Sequence, residues 1–380
     1  MKHPLVSIII TSYNYGRFLR QAIDSAINQT YSNVEIIAVD DGSKDNSKEI
    51  IISYGNKITA ILKDNGGQAS AFNAGFKVSN GEIIIFLDSD DALIPSAIEN
   101  AVCFFTDENI AKVHYPLSAI DIDGNYLGKM IPDGDLSEGN LRETMINKGP
   151  ESYVSSPTTG NAWARNFLEK VLPIPEKDYV TCPDSYLTLL APLSGTIKRI
   201  SEPQAFYRIH GENNINTITY EEQLQMFNGE CILLRDRLQD IGITSDPDIW
   251  MNQPKTAGLK KILHAVRDIA TVISPEQIFI LADQNQWGAG KAGNFRRCIP
   301  FTEHKGQYWG LPADDASAII EIERQRESGA AYIVFAWPAF WLLDYYSGMH
   351  NYLQSHYKCL KRNDHIIIFQ LIETEKGKIN

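Results

Sequence analysis

The feature that most constrains this chain is a regular alternation of apolar runs and amphipathic stretches at its start. Val6 to Ile10 is an apolar run of strand length, and Leu19, Ala22, Ile23, Ala26 and Ile27 then recur at helical spacing. Val34 to Val39 is a second strand, and Ser43 stands where it can cap a helix over Lys44 to Ser53. Ile58 to Leu62, Gln68 to Val78 and Ile83 to Leu87 continue the series as strand, helix and strand. Strands separated by helices run parallel, with helices on both faces of the sheet. Ligands of such sheets gather beyond the carboxyl ends of the strands. The polar clusters stand at those ends: Thr11-Ser12-Tyr13-Asn14, Asp40-Asp41-Gly42-Ser43, Asn65-Gly66-Gly67-Gln68 and Asp88-Ser89-Asp90-Asp91. Four loops are therefore expected to converge on one cleft.

Beyond about residue 110 the pattern loosens into short strands and loops, followed by helical stretches near 220–240 and 255–270. Ser274-Pro275 opens a block with its own order: strand Gln277 to Leu281, helix Ala313 to Arg326, strand Ala331 to Phe335, helix Ala339 to His356 and strand His365 to Leu371. A chain of 380 residues is expected to hold more than one core. The expected division is a larger domain at 1–218, a helical connector at 219–272 and a smaller α/β domain at 273–380.

The net charge of −12 sets the chain as a whole against nucleic-acid phosphates and anionic lipid. A polyanionic ligand then needs a local positive feature or a bound cation. Five scattered cysteines, Cys103, Cys182, Cys231, Cys298 and Cys359, form no CxxC pair and fit a reducing cytoplasm. Val6 to Ile10 is too short for a signal-peptide core. The run Ile333 to Leu343 is interrupted by Pro338 and falls short of the ~20 residues needed to span a bilayer.

Phe86-Leu87-Asp88-Ser89-Asp90-Asp91 is the strongest chemical signal. Neighbouring carboxylates at a strand end repel one another unless a cation or solvent relieves them. Such oxygen ligands suit Mg²⁺ or Mn²⁺, which keep several waters and share their other positions with substrate phosphates. The same residues also suit a helix start, with Asp90 or Asp91 as cap ahead of Pro95. Asp40-Asp41-Gly42-Ser43 reads as a turn, or, beside a second acidic cluster, as one side of a nucleotide site. The small residues from Asn65 to Ala71 suit a close backbone approach and an anion at a helix N-terminus, and a plain turn would look the same. Gly288-Ala289-Gly290-Lys291-Ala292-Gly293 fits GxGxxG but comes well after its strand, and no apolar-striped helix follows, so a loop is expected there.

Pro4 to Asn14, Gln29-Thr30-Tyr31, Val39 to Ser43, Asn65 to Gly75, Gly81-Glu82 and Phe86 to Asp91 closely resemble, in order and spacing, family 2 of the inverting glycosyltransferases. The likeness is dense to Asp91 and thinner to about residue 215. It implies a glycosyltransferase A-type fold, a Rossmann-like and mostly parallel sheet. It also implies Thr11, Tyr13 and Asp41 near the nucleotide base, with Asn65 and Gln68 on the same nucleotide side and Asp88 near the ribose. In this likeness Asp88-Ser89-Asp90 is the DxD motif, and Asp90 meets the metal that bridges the diphosphate. Members usually carry an acidic pair at the start of a downstream helix. Cys182-Pro183-Asp184 occupies that place, with proline where the first acid often stands, which puts Asp184 forward as general base. Asp184 also suits a plain helix start, and Glu176 and Asp178 are the reserves.

Thr158 to Trp163 resembles the family's acceptor-side loop, where Trp163 would stack on a sugar or else lie in the core. Phe206 to Asn214 resembles a closing segment that brings Arg208 to the diphosphate and His210 to the metal. The C-terminal block, with Gly306 to Gly310, Pro312 to Asp315 and Tyr332 to Ala336, resembles a small α/β unit appended to some bacterial glycosyltransferases, with no activity attached. Its Trp309, Trp337, Trp341, Tyr345 and Tyr346 are expected mainly in an aromatic core, with a carbohydrate or partner surface as the other reading.

The expectation is inverting transfer of a sugar from a nucleoside-diphosphate sugar, UDP being the expected carrier, with Mg²⁺ or Mn²⁺. The expected acceptor is a hydroxyl of a saccharide or lipid-linked saccharide, in polysaccharide or glycoconjugate synthesis. A cytoplasmic place follows, with room for peripheral contact at the inner face of the membrane. Two other classes stand beside it. A nucleotidyltransferase would carry a Gly-rich loop with Arg and Lys after the first strand, and Thr11 to Arg17 lacks that richness. A non-catalytic nucleotide-sugar-binding scaffold would have no use for a base.

Overall fold

The computed structural model describes residues 3–211, 213, 218–284, 286–287, 297–305 and 307–372. The GxGxxG segment at 288–293 lies outside the described residues. The chain forms two compact units, 1–213 with 229–250, and 214–228 with 251–380. Residues 219–272, the expected connector, are mainly helical (Tyr220–Asp240, Pro247–Met251 and Pro254–Val272), and the two units divide within this stretch.

The strands of the first unit are β1 (Val6–Ser12), β2 (Val34–Asp41), β3 (Thr59–Lys63), β4 (Ile83–Asp88), β5 (Ala92–Leu93), β6 (Ile110–His114), β7 (Leu117–Ile120), β8 (Tyr126–Ile131), β9 (Asn161–Ala164), β10 (Thr196–Arg199) and β11 (Ala205–Arg208). Its helices are α1 (Gly16–Ile27), α2 (Ser47–Ser53), α3 (Gln68–Val78), α4 (Ala97–Val102), α5 (Arg142–Lys148), α6 (Arg165–Val171) and α7 (Pro183–Ser194). The main sheet runs β10-β6-β9-β4-β1-β2-β3 and is parallel except for β9, which is inserted antiparallel to both β4 and β6. A smaller sheet runs β5-β11-β7-β8.

Every residue of β1 is buried because helices cover both faces of the sheet. One face packs with Leu19, Ala22, Ile23 and Ala26 of α1, and the other with Ala69 and Phe72 of α3 and Tyr186 and Leu187 of α7. Strand β3 is the sheet edge and correspondingly exposed. Two local expectations are corrected. Ser43 does not cap α2, which starts at Ser47, because its hydroxyl accepts the Asn14 N–H instead. Neither Asp90 nor Asp91 caps a helix, since α4 begins only at Ala97, after Ser96.

The second unit carries β12 (Phe279–Ala282), β13 (Cys298–Pro300), β14 (Glu303–His304), β15 (Gln307–Tyr308), β16 (Tyr332–Ala336), β17 (Lys358–Arg362) and β18 (Ile366–Gln370). Its main sheet runs β13-β12-β16-β18-β17 and is mixed: β12 lies parallel to β13 and β16, and β18 antiparallel to β16 and β17. The single helix expected over Ala339 to His356 is broken into Trp341–Tyr345 and Ser347–His356. The break falls at Tyr346, whose φ of −95° and ψ of 68° leave the helical region and whose hydroxyl donates to Pro312 O at 2.6 Å. The expected aromatic core is likewise corrected: Tyr346 is buried, but Trp309 is 72% and Tyr345 70% exposed. No helix among the described residues is long and apolar enough to cross a membrane.

Candidate active site

The loops at the strand ends are tied to one another in turn. After β1, Asn14 N–H donates to Ser43 Oγ at 2.9 Å, and Asn14 Oδ1 accepts from Lys44 N–H at 2.7 Å. Gly16 N–H donates to Asp45 Oδ2 at 2.8 Å, so the first loop lies along the second. Asp41 then gathers the third. Its Oδ1 accepts from Lys63 Nζ at 2.5 Å and Gly66 N–H at 3.0 Å, and its Oδ2 from Gly67 N–H at 2.8 Å and Asn65 Nδ2 at 3.1 Å. Gly67 takes φ of 87°, where a β-carbon would meet Val180 O at 2.9 Å. Gln68 N–H donates to that same carbonyl at 2.9 Å, which lays the start of α3 on the segment leading into α7.

Within this frame the acidic cluster at the end of β4 separates into distinct environments. Asp91 is buried and held: its Oδ2 accepts from Thr159 Oγ1 at 2.7 Å and its Oδ1 from Arg208 N–H at 3.0 Å. Asp88 is half-buried and accepts from Gln68 Nε2 at 2.8 Å. Asp90 is likewise half-buried, with Oδ2 3.0 Å from His210 Nε2. Burial, and then the charges of Asp90, Asp91 and Asp184, push the Asp88 carboxyl well above its ordinary range; burial and Asp90 do the same to Asp91. Negative charge is therefore concentrated here beyond what the protein groups offset.

Asp184 belongs to the same group. Cys182 takes a left-handed backbone, φ of 55°, and turns the chain into α7, with Pro183 and then Asp184 as its first residues. Burial raises the Asp184 carboxyl, opposed by the amides at its own position and at Ser185, by Lys112 and by the Thr158 hydroxyl. The Thr158 hydroxyl also opposes the rise of the Asp88 carboxyl. The same hydroxyl thus acts on the aspartate of β4 and on the aspartate of α7. The reserves lie elsewhere: Asp178 and Glu176 are exposed, and Glu176 accepts from Asn73 Nδ2.

The remaining expected residues divide. Tyr13 is 41% exposed and Thr11 buried behind it. Asn65 and Asp41 bond to each other, and with its oxygens filled by protein donors Asp41 acts on the site by shaping the glycine turn. Trp163 is corrected: it lies in the core, opposite Ile84 of β4 and Lys112 of β6, with its ring 5.7 Å from that of Phe167, and offers no face to a sugar. Arg208 is corrected as well. Its guanidinium donates to the carbonyls of Asp90, Asp121 and Ile122 at 3.0–3.1 Å and to Gln21 Oε1 at 2.5 Å, so it clamps loops. Its donors are committed to the protein and not to a diphosphate.

Sequence reasoning did not single out Thr159 and Lys112. Thr159 donates to Asp91 and accepts the Asp88 N–H at 3.2 Å, a role hinted at only by the Thr158-Thr159-Gly160-Asn161 loop. Lys112 is a fully buried lysine within the short apolar strand β6, and that exception to burial statistics was its available signal.

Among the described residues no group of three or more His, Cys, Asp or Glu side chains is arranged to hold a metal ion by itself. Asp90 and His210 do fit a divalent ion that completes its shell with water and phosphate. Their 3.0 Å separation is that of adjacent ligands about an ion with bonds of about 2.1 Å. The imidazole is packed by Tyr15 and Phe18, with ring centroids at 5.5 and 5.3 Å, and the backbone of His210 is fixed by its amide N–H donating to Asn213 Oδ1 at 2.7 Å.

The family model for glycosyl transferase family 2 matches residues 7–170, which hold all but the first residue of β1, the strands β2 to β9 and the Asp88–Asp91 cluster. An uncharacterized glycosyltransferase of Nostoc sp. is 37% identical over 213 residues, covering 55% of this chain and 66% of its own length. An uncharacterized glycosyltransferase of Rickettsia typhi is 52% identical over 99 residues, 26% of this chain and 31% of its own length. The chain thus spans less than two thirds of the length of these curated relatives. Among solved structures, S. aureus TarS 1–349 in complex with UDP-GlcNAc covers 70% of this chain and 73% of that one, at 17% identity and a TM-score of 0.49. The family match falls on the strands and loops that assemble the acidic cluster, and residues 7–170 of the chain belong to glycosyl transferase family 2.

Proposed function

We propose that the chain is a metal-dependent, inverting glycosyltransferase that uses a nucleoside-diphosphate sugar, UDP being the first carrier to test, and a hydroxyl acceptor of saccharide or lipid-linked saccharide type. The observation that carries this reading is the gathering of Asp88, Asp90 and Asp184 at the carboxyl ends of parallel strands, with His210 on Asp90. Asp90 and His210 would hold Mg²⁺ or Mn²⁺. The ion, when bound, offsets the charge that gathers on the departing nucleoside diphosphate. Tyr13, Thr11, Asn65, Gln68 and Asp88 form the nucleotide side, with Asp88 turned toward the ribose.

Asp184 is the base. It accepts the proton of the acceptor hydroxyl as that oxygen bonds to the anomeric carbon and the bond to the diphosphate oxygen breaks, its electron pair leaving with the diphosphate. One displacement inverts the anomeric centre. A carboxylate raised by burial suits this work, because the proton it takes is held more firmly than by an ordinary aspartate.

The test is incubation with UDP- and GDP-sugars, with Mn²⁺ or EDTA, in the presence of saccharide acceptors. Release of nucleoside diphosphate that requires Mn²⁺ is the expected result. Pyrophosphate release from a nucleoside triphosphate and a sugar phosphate would instead make the chain a nucleotidyltransferase. Tight donor binding with neither transfer nor hydrolysis would make it a binding scaffold.

A further inference from the structure

Lys112 is a buried cation that the reaction as described does not use. It lies on β6 directly opposite Trp163 of β9, with no exposed surface. Lysine ordinarily extends its ammonium to water, and burying that charge is costly unless it is compensated. Here Nζ donates to Ser155 Oγ at 2.6 Å and lies 4.9 Å from the centre of the Trp163 ring and 5.5 Å from that of Tyr153. The opposite charge that acts on it is Asp184. A hydroxyl and two ring faces thus hold an ammonium on the face of the sheet that α7 covers: Trp163 packs with Tyr186 and Leu187 of α7, and the Tyr153 hydroxyl donates to Thr188 O of α7 at 2.7 Å.

We propose that Lys112 is a positioning residue for Asp184: its ammonium, seated on Trp163 and Tyr153, supplies the positive charge that keeps the Asp184 carboxylate ionised among the neighbouring aspartates. The proposal rests on the reading of Asp184 as the base. The other large buried cation, Arg208, is committed to the loops after β4 and β7 and to Gln21 of α1. The groups that face Asp184 are Lys112 of β6, the Thr158 hydroxyl, Asp88 of β4, the Cys182 thiol and the Tyr207 phenol of β11. Burial pushes the thiol up to about 12 and the phenol higher, so both stay neutral, and Asp88 repels. Beside Lys112, His114 is also neutral, pushed down to about 2 by burial and then by Lys112 itself. Burial lowers the Lys112 ammonium to about 7 against the pull of Asp184. The lysine is thus charged below that pH.

The test is the pH dependence of Mn²⁺-dependent UDP release from whichever of UDP-glucose or UDP-N-acetylglucosamine the full chain turns over, for wild type, Lys112→Met and Lys112→Arg. Removal of the charge is expected to move the acid limb of kcat upward by about 1 pH unit, while arginine holds it near the wild-type position. An acid limb at the wild-type position in a Lys112→Met protein that melts cooperatively overturns the proposal. Should Lys112→Met fail to fold, Ser155→Ala removes the hydrogen-bond acceptor of the ammonium. That change is expected to move the limb in the same direction by less, and an unmoved limb there is equally contrary. Asp184→Asn separates the two claims. Near-normal turnover of that variant removes the base assignment itself, whereas an inactive Asp184→Asn beside an unmoved limb in Lys112→Met refutes only the role of Lys112.

Discussion

The two units treat their acidic residues in opposite ways. In the second, Asp268, Glu321 and Glu323 feel burial, yet donors from Lys361, Asn363, His365, Arg324, Gln325, Tyr357 and Arg326 outweigh it and hold them below the ordinary carboxylate range. Asp314, bonded by Ser317, is lowered too. These are settled surface networks, worth little individually. At the cluster of the first unit, Asp88, Asp91 and Asp184 are pushed up, burial leading in each case. Burying like charges together opposes folding, and a protein keeps such an arrangement where a ligand completes it. The contrast supports, without appeal to the family, the proposal that the chemistry belongs to the first unit.

The largest effect that could break this contrast is at Asp90. Asp90→Ala is expected to reduce turnover to the level seen without added Mn²⁺ while the far-ultraviolet circular dichroism stays that of wild type; undiminished Mn²⁺-dependent turnover would remove the metal assignment. Asp184→Asn is expected next, with turnover lowered by about a thousandfold and nucleotide binding kept. The raised Asp184 carboxyl fixes a sign as well. A base must be ionised, so activity falls as pH drops through its pKa, and the acid limb should lie above the ordinary aspartate value of about 4. A limb at or below that value would contradict the burial argument.

A smaller, structural effect belongs to Thr159. Thr159→Val strands one oxygen of the buried Asp91 and the Asp88 amide, and should cost about 1–3 kcal/mol, read as a lower thermal midpoint. The smallest belongs to the second unit. Arg324→Ala removes pairs to Glu303 and Glu321 from a half-exposed side chain and should cost less than about 1 kcal/mol, with nucleotide binding unchanged. A larger penalty there than at Thr159 would blur the distinction between the two units.

What the sequence disclosed follows from where each residue finds its partners. The strands β1, β2 and β4 and the helix α3 come from local periodicity, and their polar ends were legible because a parallel sheet directs all of them to one side. The Asp184 position came from likeness to the family and agrees with a helix start that Pro183 already signals. Trp163 and Arg208 looked like ligand contacts because their loops did. Each is instead consumed by distant partners: Trp163 by strands β4 and β6, and Arg208 by Gln21, Asp90, Asp121 and Ile122. Lys112 stayed hidden for the same reason, since Ser155, Tyr153 and Asp184 meet it only once β9 has been inserted antiparallel beside β6. Ser43 had the composition of a helix cap, but its hydroxyl was claimed by Asn14 of the neighbouring loop.

The central claim is that Asp90 and His210 bring a divalent cation to a nucleoside diphosphate lodged at these strand ends. Its most direct test is calorimetric titration of UDP and GDP into the wild-type chain and into Asp90→Ala, with Mn²⁺ and with EDTA. Binding of one nucleotide that Mn²⁺ strengthens at least tenfold in wild type, and not in Asp90→Ala, is the predicted result. Equal affinity with and without Mn²⁺, or a Mn²⁺ effect that survives the loss of Asp90, would contradict it.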